Sequence, residues 1–246
     1  MFAAVALGAA ALGLAGPSAA VAQESSVLRD ALFGSQSSSR RSEAPPVARY
    51  VSESGHGFVL DRTATRPLLR FESSSEVWVL HPQAAPRGDI IYKNDIGEPV
   101  LRATKVGGLT LFTPDRPEGM AVAVAGQSQP IRLPPMGPNV LLQRLAQASG
   151  KASRAAGRLI PFGADATPSS AALIADAAGL AADAVARVAG KRGGKSAVKD
   201  IRRIYIAQGR KPDAAVKDQV LVITVTPAMG LAGRPSSQRI AKVAAR

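Results

Sequence analysis

The sequence contains no cysteine, which excludes a disulfide framework, a thiolate metal centre and a lipid-modified Cys at a mature N-terminus. Histidine is scarce too: His56 and His81 are the only 2, which leaves little scope for an imidazole-based metal site. Aromatic residues make up 4% of the chain, with 1 Trp, so large core anchors are few. The 46% hydrophobic content nonetheless rules out wholesale disorder, although much of it is Ala. Glutamate is absent beyond residue 130, and that makes the charge lopsided. Residues 1–130 carry 12 Lys/Arg against 12 Asp/Glu, whereas residues 131–246 carry 19 against 6, all of them Asp. The whole net charge of +13 therefore belongs to the second half. A chain of 246 residues makes one medium domain or two small ones. Its charge asymmetry points to an anionic partner: nucleic acid, a membrane face or an acidic polymer.

The N-terminus bears on which of these applies. "MFAAVALGAAALGLAGPSAAVAQESS" has no charge before Glu24 and ends its apolar run at Gly16-Pro17-Ser18. Ala20-Val21-Ala22 then offers small residues at both recognition positions, the layout of a secretory signal cleaved after Ala22. A basic residue ahead of the apolar run is missing. The alternative is an uncleaved inner-membrane anchor, which an Ala-rich segment broken by Gly-Pro suits poorly. Export to a periplasm makes nucleic acid an unlikely partner and favours an anionic membrane surface, an acidic glycan or an envelope protein. Residues 23–46, with "SQSSSRRSEAPP", read as a disordered linker.

From Val47 to Leu133 the hydrophobic period is two. "GFVLDR", "PLLRFE", "EVWVLHP", "GDIIYKN", "PVLRATK", "LTLFTP" and "AVAVAG" recur about every ten residues between turn formers, which predicts an antiparallel β meander, a small barrel or a sandwich. Val77 and Val79 share one face of their strand and Trp78 and Leu80 the other, so both faces are apolar. Gly107-Gly108 marks the clearest hairpin, supplying the positive φ angles of a primed turn.

From Gly137 the period lengthens to that of an Ala-rich, basic helical region. One amphipathic helix places Leu141, Leu145, Ala148, Ala152, Ala155 and Leu159 together, with Arg144, Lys151, Arg154 and Arg158 on another face. A second carries Leu173, Ala177, Leu180, Ala184 and Val188, with Thr167 as cap, Pro168 in its first turn, Gly190 at its exit and an Asp183–Arg187 pair. Segment 191–211 reads both as helix and as strand. "DQVLVITVTP" is one late strand, which must pair with 203–207 or with an edge of the first sheet, and a short helix near 235–245 ends the chain. The fold class is α+β, in blocks 47–133 and 137–246.

Candidate chemistry is thin. Asp95 and Glu98 in "NDIGEP", like Asp115 and Glu118 in "PDRPEG", occupy turn sequences, where Asp and Asn bond the nearby backbone. "KNDIGEP" lacks the alternating ligands and terminal bidentate Glu of a calcium loop. Ser52, Ser54 and His56 are loop neighbours with no G-x-S-x-G elbow in the chain, and His81 belongs at a strand end. "GKRGGKS" has the wrong spacing for a phosphate-binding loop and follows a helix, not a strand. No catalytic, metal-ligating or cofactor-binding set is assigned. What stands out is cationic: Arg144, Lys151, Arg154, Arg158, Lys191, Arg192, Lys195, Lys199, Arg202 and Arg203 form one patch if the helices pack side by side.

"GFVLDR", "PLLRFE", "EVWVL", "RGDIIYKNDIGEPVLRATKVGGLTLFTP" and "GLAGRPSS" at 230–237 resemble an uncharacterised family of exported alphaproteobacterial proteins, catalogued as a domain of unknown function. The resemblance spans residues 47–245 and implies export, with no activity or site residues to transfer. The leading expectation is a non-enzymatic envelope protein: a β-rich scaffold whose basic helical face binds an anionic surface or partner. Two alternatives stand beside it, an envelope hydrolase drawing on Asp89, Asp95 and Glu98, and a protein-assembly module.

Overall fold

The computed structural model describes residues 45–245, so the expected signal segment at 1–22 and nearly all of the expected linker at 23–46 lie outside the described residues. Nine strands come first: β1 (Val47–Ser52), β2 (Gly57–Asp61), β3 (Leu68–Phe71), β4 (Val77–Val79), β5 (His81–Ala84), β6 (Ile90–Lys93), β7 (Pro99–Ala103), β8 (Leu109–Thr113) and β9 (Arg116–Gln127). They form a single antiparallel sheet in the order β4-β3-β2-β1-β9-β8-β7-β6-β5. Its two edges, β4 and β5, are separated in the chain by Leu80 alone. Residues 77–84 are thus one run that pairs with β3 through its first half and with β6 through its second. The meander closes on itself in chain order, a nearly closed barrel with little free edge.

Alternation explains why the barrel fills. Tyr50, Phe58, Leu60, Leu69, Leu80, Tyr92, Leu101 and Leu111 are buried together inside it, with Phe71 and Trp78 packed against them. Tyr50 stacks on Phe58, and the Phe71 and Trp78 rings meet edge to face, the arrangements favoured by their quadrupoles. Val47, Val59, Leu68 and Val77 face outward and are covered by Ile131 and Leu231. The Val77/Trp78 strand is therefore apolar on both faces because the inside is core and the outside is roofed by Ile131, on a strap after β9, and by Leu231 from the second half of the chain. Asp61 pins that strap, accepting from Ile131 N–H at 2.8 Å and from Thr63 N–H at 2.8 Å.

In the 104–108 hairpin only Gly107 has positive φ, 95°, so the loop is a three-residue type with a left-handed third position and not a two-residue primed turn. The primed turn occurs instead at Asp218-Gln219, where φ is 47° and 66°.

The second half comprises α1 (Pro138–Ala156), β10 (Phe162–Ala164), α2 (Ala171–Ala189), the short α3 (Gly194–Ala197), β11 (Arg203–Gln208), β12 (Asp213–Lys217), β13 (Val220–Val225), a 3-10 turn at Pro227–Gly233 and α4 (Ser237–Ala244). The late strand lies in a four-stranded sheet of its own, ordered β10-β11-β13-β12, and pairs in parallel with β11, not with the barrel. Ile204, Ile206, Leu221, Ile223 and Val225 turn one face of this sheet toward a core shared with the helices. All five residues of the α2 stripe are buried, and so are Ile174, Ala178, Ala181 and Val185 beside it, because α1, α4 and the sheet enclose the helix.

Three local expectations change. Helix α1 ends at Ala156, where Gly157 at φ 70° starts a Schellman-type exit with Arg158 N–H on Ser153 O at 3.2 Å, leaving Leu159 75% exposed. Helix α2 begins after Ser170, whose hydroxyl accepts from Thr167 N–H at 2.8 Å and closes a turn ahead of the helix. The Asp183–Arg187 pair does not form: Asp183 takes Lys151 of α1, and Arg187 donates to Ser237 Oγ at 2.8 Å. Contacts between elements prevail over the neighbour one turn away.

Candidate functional site

Of the ten cations read from the sequence, all but the half-buried Arg158 are exposed, and they differ in what they touch. Lys151 is paired with Asp183 across α1 and α2. Arg158 donates to the carbonyls of Val198, at 2.7 Å, and Ile201, fastening the end of α1 to the segment after α3. Arg144 shares with Lys151 a groove of about 410 Å³ that also holds Glu76, Asp176 and Asp183, so charge there is mixed.

The other seven gather differently. Gly190 closes α2, and the chain then folds back so tightly that a Cβ on Gly194 would lie 1.8 Å from Val188 O. Only glycine permits that approach. Lys191, Arg192, Lys195, Lys199, Arg202 and Arg203 are all exposed along this return, and so is Arg154 at the end of α1. Lys195 Nζ reaches to 3.9 Å from the Cβ position of Gly157, so this return passes the C-terminal end of α1. The partial negative charge of helix C-termini favours cations at this end. Arg202 Nε donates to Gln219 Oε1 at 3.2 Å, and Arg203 lies over the Tyr205 ring at 5.2 Å.

The three acids of the hydrolase reading do not meet. Asp89 is buried and accepts from Arg102 at 2.5 Å and from Lys105 N–H at 3.3 Å; the Arg102 bond holds its carboxyl below the ordinary value. Glu98 accepts from Asn94 Nδ2 at 3.2 Å, within a turn that Asn94 Oδ1 builds by accepting from Ile96 and Glu98 N–H. Asp95 reaches across to the far end of the chain, accepting from Ser236 N–H at 2.8 Å and from its hydroxyl at 2.5 Å.

That last contact belongs to a joint. Ser236 caps α4 by accepting from Arg239 N–H at 3.1 Å. Ser237 donates through N–H and Oγ to Glu76, at 2.9 and 2.5 Å, and Asn94 Nδ2 donates to Gln238 Oε1 at 2.9 Å. Arg234, its side chain 1% exposed, pairs with Asp176 of α2 and donates to Val77 O at 3.0 Å. The "NDIGEP" turn and the "GRPSS" segment thus serve as two sides of one seam between barrel and helical layer.

The Ser52–Ser54–His56 loop forms a chain of bonds, Ser54 Oγ to His56 Nδ1 at 2.7 Å and Ser52 Oγ to Ser54 Oγ at 3.0 Å, without a carboxylate behind the imidazole among the described contacts. Among the described residues no group of His, Asp or Glu could hold a metal ion, and no helix is long and apolar enough to cross a membrane.

One cationic cluster escaped the sequence. A cavity of about 190 Å³ beside the seam is lined by Arg66, His81, Asp95, Arg210, Lys211 and Arg239, among others. Burial first, and Arg66 second, push the His81 imidazole below its ordinary range against the pull of Asp95. These residues come from five separate segments, so no run of charge announces them.

A family model described as a domain of unknown function, DUF4908, matches residues 27–244. No curated protein and no solved structure matches the chain.

Proposed function

The chain belongs to the DUF4908 family, a kinship that carries no activity with it, and we propose from its own chemistry that it is an exported, non-enzymatic envelope protein whose cationic helical end holds an anionic surface. What supports this reading is that Arg154, Lys191, Arg192, Lys195, Lys199 and Arg202 are all exposed, with Asp200 the one acid in their run, and that Lys195 reaches to the end of α1 at Gly157. The uncharged leader with its Ala20-Val21-Ala22 site supports export. The separate partners of Asp89, Asp95 and Glu98 give no support to the hydrolase alternative.

Near an anionic bilayer each such cation contributes about 1 kcal/mol, so several suffice for reversible attachment. The test is sedimentation with phosphatidylglycerol vesicles. Reversing Lys195, Lys199 and Arg202 to Glu is expected to weaken binding by at least about 150-fold, the equivalent of about 3 kcal/mol. Binding should also fall as salt rises from about 0.1 M to about 1 M and the screening length shrinks from about 10 Å to about 3 Å. Attachment indifferent to both changes rejects the reading.

A further inference from the structure

We propose that the cavity at the seam is a binding site for a small dianion, a phosphate monoester group, held by Arg66, Arg210 and Lys211 with His81 on its wall. The volume of about 190 Å³ is below the range of roughly 300–1,000 Å³ typical for drug-sized ligands, so the occupant is small or enters by one end. Its lining cations differ in what they already hold. Arg234 is paired with Asp176 and Arg239 with Asp213. Arg66, Arg210 and Lys211 have no carboxylate partner among the described residues, and Asp95 is engaged by Ser236.

Three cations against one carboxylate, with Arg66 half-buried and Arg210 and Lys211 exposed, leave an excess of positive charge around the cavity that an anion relieves. A monocarboxylate leaves positive charge over. A phosphate monoester, at about −1.5 to −2 near neutral pH, balances it and offers oxygens to the forked donors of two guanidiniums. Arg66 donates to His81 Nδ1, which places the proton of the neutral ring on Nε2. The charged groups lining the cavity with that ring are Arg66 from the β2–β3 loop, Asp95 from the β6–β7 turn, Arg210 and Lys211 from the β11–β12 loop, and Arg234 and Arg239 from the C-terminal segment, and Lys93 of β6 is the cross-strand partner of His81. A dianion arriving among them favours the imidazolium.

The cavity shares Arg66, Met229 and Ala232 with a larger groove, about 1030 Å³, whose walls include Leu68, Ile131, Leu133, Leu173 and Leu231. A phosphate that is free and one that heads a lipid therefore present the same chemistry here. The site shares no residue with the cationic helical end, so the two proposals fail separately.

The test uses the full chain with glycerol 3-phosphate as the free probe, followed through the two imidazole resonances by NMR. Saturable binding should raise the His81 pKa and leave the His56 resonance in place. Arg66→Gln with Arg210→Gln should weaken it at least about tenfold, with Trp78 fluorescence unchanged as evidence of folding. The Lys195, Lys199, Arg202 reversal should leave it intact. Vesicles bearing phosphatidic acid, compared with phosphatidylglycerol, form the lipid arm: a preference for phosphatidic acid that depends on Arg66 and Arg210 identifies a headgroup as the source. Absence of any dependence on Arg66 and Arg210 in both arms overturns the proposal.

Discussion

The barrel and the helical layer stabilise themselves by opposite means. The barrel buries large side chains, Phe58, Leu60, Leu69, Leu101 and Leu111, inside a ring that leaves little edge. The helical layer brings α1 and α2 together through Ala148, Ala152, Ala175, Ala178 and Ala182, so its apolar area per residue is small and its backbones are close. The barrel half is electrically balanced, and the helical half carries the excess. A scaffold of large side chains tolerates polar turns all around it. An alanine-packed layer depends more on the seam that fixes it to that scaffold.

The largest effect is expected at the seam. Arg234→Ala removes a guanidinium that is 1% exposed and strands Asp176, at a cost of about 3–5 kcal/mol. Trp78, the only Trp, reports the barrel, while far-UV dichroism reports the helices. Their thermal transitions should coincide in the native chain and separate in this variant, with the helices melting first. Transitions that stay together and unshifted show that the seam contributes little.

Next come the two cores. Leu101→Ala should cost about 2–5 kcal/mol by leaving a cavity, and Ala152→Leu about 1–3 kcal/mol by forcing α1 from α2. Urea midpoints that rank these substitutions the other way would reverse the comparison of the two packings.

Acid should act on the barrel. Burial pushes the Asp61 carboxyl up, but bonds from Thr63 and Ile131, with Arg132 nearby, outweigh it and hold it below its ordinary value near 3.8. Asp89, on Arg102, is also held low. The unfolded chain therefore takes up these protons first as pH falls. Their contribution is complete above the unfolded value, declines below it and is lost once pH passes the folded values. Denaturant midpoints should fall on acidification below about pH 5. Asp61→Asn should flatten that decline, and an unaltered profile removes Asp61 from the account.

The smallest effect concerns the β12–β13 turn, where Gln219 has φ 66°. Gln219→Gly should stabilise by about 0.5–1 kcal/mol in thermal unfolding, since glycine adopts that conformation without strain. A loss of stability means that the Arg202–Gln219 bond outweighs the strain.

The meander was legible in the sequence because a period of two survives wherever one strand face is buried, and both helices were legible from their spacing. β11 was half legible, since Ile204 and Ile206 alternate there and 203–207 was one of two partners open to the late strand, but β10 and β12 were not: β10 is short, and "DAAVK" has no β signature of its own. The cations from Lys191 to Arg203 stand out in the sequence as a run of charge, but nothing local says that Lys151 and Arg158 are occupied by Asp183 and by backbone carbonyls. The seam and the cavity beside it were invisible, because Asp95 and Ser236 lie 141 residues apart and nothing local says that they meet.

The most direct measurement sets one half against the other on anionic vesicles. Three barrel cations, Arg70, Lys105 and Arg116, are reversed to Glu in one variant, and Lys195, Lys199 and Arg202 in a second; all six are exposed. Both change the net charge equally. The expected result is near-native binding for the barrel variant and loss for the helical one. Equal loss in both would mean that net charge alone drives attachment and that the helical end has no special part in it.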